Sequence, residues 1–215
     1  MTDRLVWIDC EMTGLDYVAD ALVEVAALVT DGDLTVLGPG VNVVIRPPDT
    51  ALAQMGDFVR EMHQHSGLLN ELEAGATLAE AEDLVLGYVR EFVPEPRKAP
   101  LAGNSVSTDR VFLTRDMPTL EQHLHYRIVD VSSVKEMVRR WYPRVYYNAP
   151  GKLGNHRALG DITDSIDELR YYRETVFVGL PGPDSEAAQA AAVRIAGPPA
   201  APAPAVGDGS DEPPR

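Results

Sequence analysis

Acidic residues in short, spaced groups are the feature of this sequence with the most chemical reach. Asp9-Cys10-Glu11 follows an apolar run at residues 5–8. On an extended chain, side chains two residues apart leave from the same face, so these carboxylates can meet at one point. Neighbouring carboxylates raise each other's pKa unless a cation sits between them, and hard oxygen ligands suit Mg²⁺ or Mn²⁺. The pair says little alone, because 33 acids in 215 residues give about five acid-x-acid pairs by chance. What singles it out is its place at the C-terminal end of an apolar run, where sites on α/β sheets gather. A second group, His156-Arg157-Ala158-Leu159-Gly160-Asp161, puts an acid five residues after a histidine. Five helical residues turn through about 500°, so both reach one point only if His156 lies in the preceding loop or first turn. A third, running from Gly103-Asn104-Ser105 to Asp109, joins a strand to a helix and puts Asp109 about one turn into it. Plainer readings stand beside these: Ser105 as a helix N-cap, Asp109 as a favourable charge near a helix N-terminus, and His156 as a helix-start residue with a local hydrogen bond.

The elements that must position these residues follow from apolar periodicity. Residues 5–8 read as a central strand, and 22–29 and 34–45 as a hairpin around Asp31-Gly32. Helical spacing follows at 54–63 and at 78–92, the latter ended by Pro94 and Pro96. A short strand at 100–104 leads to a helix at 105–116, and a strand at 127–131 to a helix at 132–141 ended by Pro143. The last long helix spans about 157–178, with Ile162, Ile166, Leu169 and Val176 on its buried side. A three-strand meander followed by strands alternating with helices describes an α/β fold, a mixed five-stranded sheet flanked by helices.

Composition sets outer limits. Nineteen bases against 33 acids give a net charge of −14, which argues against coating long nucleic acid by charge alone. It leaves room for a nuclease whose acids gather divalent metal. Cys10 is the single cysteine, so no internal disulfide framework exists and a reducing cytoplasm fits. No apolar run of about 18 residues is present to span a bilayer, and no secretory signal is expected from the N-terminal residues. Residues 1–180 read as the globular part and 181–215 as an Ala/Pro-rich, mostly disordered tail, with a short helix at 185–196. There is no phosphate-binding G-x-x-x-x-G-K loop, no nucleophile elbow and no zinc spacing, and His63, His65, His123 and His125 form no ligand pattern.

Taken together, several stretches carry more than any single motif. They are Trp7-Ile8-Asp9-Cys10-Glu11-Met12-Thr13-Gly14-Leu15-Asp16, Gly103-Asn104-Ser105 through Asp109-Arg110, His125-Tyr126-Arg127 with Asp130-Val131-Ser132, and His156 through Asp161 ending in Tyr171-Tyr172-Arg173. In this order they closely resemble the oligoribonuclease family, DEDDh 3′-to-5′ exonucleases of the ribonuclease-H-like fold, over residues 4–178. The resemblance implies that Asp9, Glu11, Asp109 and Asp161 hold two divalent metal ions, Mg²⁺ or Mn²⁺, and that His156 is the general base. It further implies a homodimer acting on dinucleotides and very short oligoribonucleotides and releasing nucleoside 5′-monophosphates. Leu15 would wedge between two bases, and Ser105, Arg127 and Ser132 would cap the 5′ phosphate. His63 would lie beside the substrate, and Tyr126 would reach in from the neighbouring subunit. Alternation along a strand is expected to send the Tyr126 and Arg127 side chains opposite ways. Gly160 and Cys10 depart from the usual residues of the family; Cys10 is expected to point into the core, away from Asp9 and Glu11. The nearest rival is a proofreading-type DNA exonuclease with the same metals and a longer substrate. A non-catalytic binding module on the same fold is the rival from another class.

Overall fold

The computed structural model describes residues 3–151 and 157–197. Five strands form one sheet: β1 (Arg4–Met12), β2 (Leu22–Asp31), β3 (Val36–Val44), β4 (Pro100–Gly103) and β5 (His125–Asp130), in the order β3-β2-β1-β4-β5. β1 pairs antiparallel with β2 and parallel with β4. β2 and β3 are antiparallel, whereas β4 and β5 are parallel. The mixed five-stranded α/β sheet expected from the sequence is therefore present. β2 is buried along nearly its whole length, as a strand covered on both faces must be.

Helices cover both faces. α3 (Leu78–Phe92), α4 (Ser107–Asp116) and α5 (Pro118–His123) pack a core of Val6, Ile8, Cys10, Val25, Val85, Val89, Phe112 and Leu120. α6 (Val131–Trp141) and α8 (Ala158–Thr175) cover the other face over Trp7, Ala26, Ala102, Val138, Ile162, Ile166 and Tyr172. Alternation along β1 thus puts Val6, Ile8 and Cys10 under α3 and turns Trp7 toward α8. α3 opens with a capping box in which Thr77 and Glu80 satisfy each other's backbone N–H groups, a device that stabilises a helix start.

The structure corrects several expected boundaries. β1 runs on to Met12, so Asp9 and Glu11 lie within the strand rather than after it. The Asp31-Gly32 connection is longer than a two-residue turn. The Asp31 carboxylate accepts from Asp33 and Thr35 N–H, Leu34 takes a left-handed φ of 68° while burying its side chain, and β3 starts only at Val36. Residues 54–63 are not one helix: α1 (Asp49–Gln54) and α2 (Asp57–His65) are separated by extended backbone at Met55 and Gly56. α5 and α7 (Pro143–Tyr147) went unread because each opens on a proline, and a proline that stops one helix is equally at home in the first turn of the next.

Contacts divide the chain into Met1–Phe177 and Val178–Arg215. The second unit holds α9 (Ser185–Ala196), capped by Asp184 accepting from Ala187 N–H. The tail expected to be disordered beyond residue 197 lies outside the described residues, as does His156. Among the described residues, no helix is long and apolar enough to cross a membrane.

Candidate metal centre

Sharing the Trp7 face of β1 sends Asp9 and Glu11 toward α8, whose first turn supplies Asp161. One oxygen from each of these three carboxylates lies within 4.8 Å of the other two. Burial first, then the charges of Asp161, Glu24 and Asp109, pushes Glu11 up to about 8, with Arg157 opposing. Hard oxygen donors that meet from separate elements suit a divalent metal ion.

Asp109, expected beside the others, is buried but stands outside the three-oxygen group. Its Oδ1 accepts the Cys10 backbone N–H at 2.9 Å. The reason lies in the sheet: β4 pairs with β1 only at Val6 and Trp7 and ends at Gly103, so on the side away from β2 Cys10 has no strand partner among the described residues. Burial pushes Asp109 up to about 6 against the pull of that hydrogen bond. Cys10 faces the core as expected, and burial raises its thiol well above the ordinary value. His63 is fully buried, its Nε2 2.8 Å from the Met12 carbonyl and its Nδ1 3.9 Å from Glu11 Oε2. It is thus a neighbour of the acids rather than an open surface residue.

Ser105 is not a helix cap. α4 begins two residues later, Ser105 takes φ 55°, and its N–H donates to Asp130 Oδ1 at 2.9 Å. Ser132 donates to the same oxygen from N–H at 2.9 Å and from its hydroxyl at 2.6 Å, so Asp130 gathers both serines. Tyr126 is 67% exposed on the edge strand β5. Arg127 does not point away from it: its Nε donates to the Tyr126 hydroxyl at 3.1 Å and its guanidinium lies 5.6 Å from the ring centroid. On an exposed edge a long cation folds back over an aromatic face, overriding strand alternation. Leu15 projects from the β1–β2 connection, 75% exposed.

Three residues that hold the site were not singled out from the sequence. Glu24 of β2, fully buried, accepts from Ala158 N–H through Oε2 at 3.0 Å and from Arg157 Nε and Nη2 through Oε1. Glu168 of α8 accepts from Asn104, Lys135 and Tyr172; burial would push it up, yet these bonds hold it below the usual carboxylate value. Lys135 brings α6 into that network. No local pattern reveals such residues, since their partners lie far away in sequence.

The RNase_T exonuclease family matches residues 6–169. Oligoribonuclease of Streptomyces griseus is 69% identical over 198 residues, 92% of this chain and 98% of that protein. That of Mycobacterium leprae is 56% identical over 203 residues, 94% of each. The chain belongs to the oligoribonuclease family. It is a nuclease, and the family and the exonuclease domain support a 3′-to-5′ exoribonuclease. Solved structures add the fold. Escherichia coli exonuclease I, in its zinc-bound complex with single-stranded DNA, superposes with TM-score 0.62 at 14% identity over 82% of this chain. The enzyme from Methylocaldum szegediense gives 0.55 at 20% identity over 80% of it. This chain spans 41% of each of those longer chains. The exonuclease fold together with the acidic cluster supports divalent-metal binding in an oligoribonuclease.

Proposed function

We propose that the protein hydrolyses dinucleotides and very short oligoribonucleotides from the 3′ end to nucleoside 5′-monophosphates. The observation that carries this reading is the meeting of Asp9, Glu11 and Asp161 from two elements within 4.8 Å. Asp9, Glu11 and Asp161 would hold Mg²⁺ or Mn²⁺, with Asp109 completing the set for a second ion. Two such ions, when bound, stabilise the charge on the attacking and leaving oxygens of an in-line displacement. His156 would take a proton from the attacking water, a role that suits a histidine because the unperturbed imidazole changes charge near neutral pH. Attack forms the new P–O bond and breaks the bond to the 3′ oxygen of the preceding nucleoside.

The remaining residues would define a short, closed substrate site. Leu15, exposed at a loop tip, would separate the bases, and His63 would steady the acid side of the site. Ser105, Ser132 and Arg127 would receive the 5′ phosphate, with Arg127 offering a two-toothed contact. Tyr126 would act across a homodimer. Exposed Tyr126 and Ile128 on edge strand β5, with Met137 and Trp141 on α6, support such an interface. A net charge of −14 favours short ligands over long strands, and the cytoplasm is the proposed compartment.

Turnover measured across RNA lengths from two to about twenty, and on single-stranded DNA, tests this reading. The expected result is a steep preference for the dinucleotide, abolished by EDTA and restored by Mn²⁺. Equal or faster degradation of long DNA would overturn it in favour of a proofreading-type exonuclease, and no hydrolysis at all would favour a binding module.

A further inference from the structure

Glu24 lies opposite Glu11 across the β1–β2 pair and is fully buried. A fourth acid beside three others adds repulsion unless its charge is committed elsewhere. It is committed. Oε1 accepts from Arg157 Nε at 2.9 Å, Arg157 Nη2 at 2.8 Å and Asn42 Nδ2 at 2.9 Å, while Oε2 takes Ala158 N–H at 3.0 Å. The first N–H groups of a helix lack partners within it, and the α8 N-cap, Arg157, has no side-chain cap bond of its own. Glu24 supplies one from 134 residues away, and an anion there also suits the helix dipole. Arg157 turns its other edge to Glu71, with Nη1–Oε1 at 2.8 Å and Nη2–Oε2 at 3.1 Å. Glu71 belongs to the segment of 3₁₀ turns that follows α2, the helix carrying His63.

We infer that Glu24 and Arg157 form a clamp that seats the first turn of α8 on β2, and so holds Asp161 at cation-binding distance from Asp9 and Glu11. The inference rests on reading those three acids as cation ligands. Glu24 is a positioning residue here and not a ligand, because its oxygens are already engaged. β2 lies between β3 and β1 and pairs with β1, so a cap anchored in β2 sets α8 relative to β1. Glu24 itself is fully buried, which strengthens the bonds that it accepts.

The test is Mn²⁺ binding, followed by the electron paramagnetic resonance of free Mn²⁺ at low temperature, on variants whose folding is checked by circular dichroism. Residues that orient metal ligands typically change affinity by about 10–100-fold when replaced. Glu24→Gln should weaken Mn²⁺ binding by about that range, and lower kcat for a dinucleotide while KM stays within about threefold. Arg157→Lys, which can keep one contact to Glu24, should lie between Glu24→Gln and the parent. Arg157→Gln separates the clamp from direct ligation: a clamp predicts weaker Mn²⁺ binding, whereas a Glu24 ligand freed of its partner would bind as well or better. Unchanged Mn²⁺ affinity in folded Glu24→Gln, even with a lowered melting temperature, would overturn the clamp. If Glu24→Gln does not fold, unchanged affinity in Arg157→Lys and Arg157→Gln overturns it equally. A parent protein that binds no Mn²⁺ would instead overturn the reading of the three acids, and the clamp with it.

Discussion

Glu11 shows how burial and like charge prepare a residue for a cation. Its folded pKa of about 8 stands above the ordinary 4.5, so folding favours its protonated form. That contribution to stability is fully present below about pH 4.5 and is lost as pH rises through about 8. Asp109, raised to about 6 chiefly by burial, acts in the same direction over a narrower range. Without divalent metal, the parent should therefore lose melting temperature from pH 5 to pH 8 more steeply than Glu11→Gln does. At pH 8 in EDTA the variant should be the more stable of the two, and saturating Mn²⁺ should reverse the order. Parallel melting curves against pH would exclude the shifted carboxyl. For the proposed base, His156→Ala should lower kcat by about 10²–10⁴ with Mn²⁺ affinity retained. An unchanged rate and pH profile would reduce His156 to a structural role.

Among the elements, the β1–β2 connection is held by its own side chains and by one far from it in sequence. Asp20 accepts from the Thr13 hydroxyl at 2.8 Å and Asp16 N–H at 2.9 Å, and a Cβ on Gly14 would sit 2.3 Å from its carboxylate. From the last turn of α4, the Arg115 guanidinium donates to the carbonyls of Tyr17 and Asp20. The loop that carries Leu15 is therefore closed on itself and tied to α4. Each such bond contributes about 0.5–1.5 kcal/mol net, a factor of roughly 2–12. If Leu15 separates the bases, Arg115→Ala should raise KM for a dinucleotide within that range and leave kcat nearly unchanged. Steady-state kinetics that show a kcat loss at constant KM would place Arg115 elsewhere in the function.

For the molecule as a whole, the pairing of Tyr126 with Arg127 changes what a dimer must do. Their side chains lie on each other, so in the proposed homodimer a two-fold axis that carries Tyr126 into the neighbouring site would carry Arg127, and its phosphate contact, with it. Mixing Asp9→Ala subunits with either Tyr126→Ala or Arg127→Ala subunits should then restore activity, because the Asp9→Ala chain donates an intact pair. Restoration by one mixture and not by the other, with heterodimers demonstrated, would separate the two roles. Residues 197–215 hold six of the 17 prolines and almost no branched apolar side chain, so their removal should leave melting temperature and turnover nearly unchanged. A clear drop in either would mean that this segment packs on the enzyme.

The sequence alone carried whatever depends on near neighbours. Alternation placed Asp9 and Glu11 on one face and Cys10 on the other, and helical spacing put Ile162 and Ile166 inward. Both are local geometry, so five strands and the main helices could be read with errors mostly at their ends. Those ends moved where a side chain competed with the backbone, as when the Asp31 carboxylate captured two N–H groups and delayed β3 to Val36. Only tertiary structure decided which distant groups meet. Asp109 went to the Cys10 N–H because β4 stops short, and Arg127 folded onto Tyr126 because β5 is an edge. Glu24 gained its meaning from Arg157 and Ala158, 133 and 134 residues away. A buried charge is defined by the partners that the fold brings to it, and no periodicity in the chain records them.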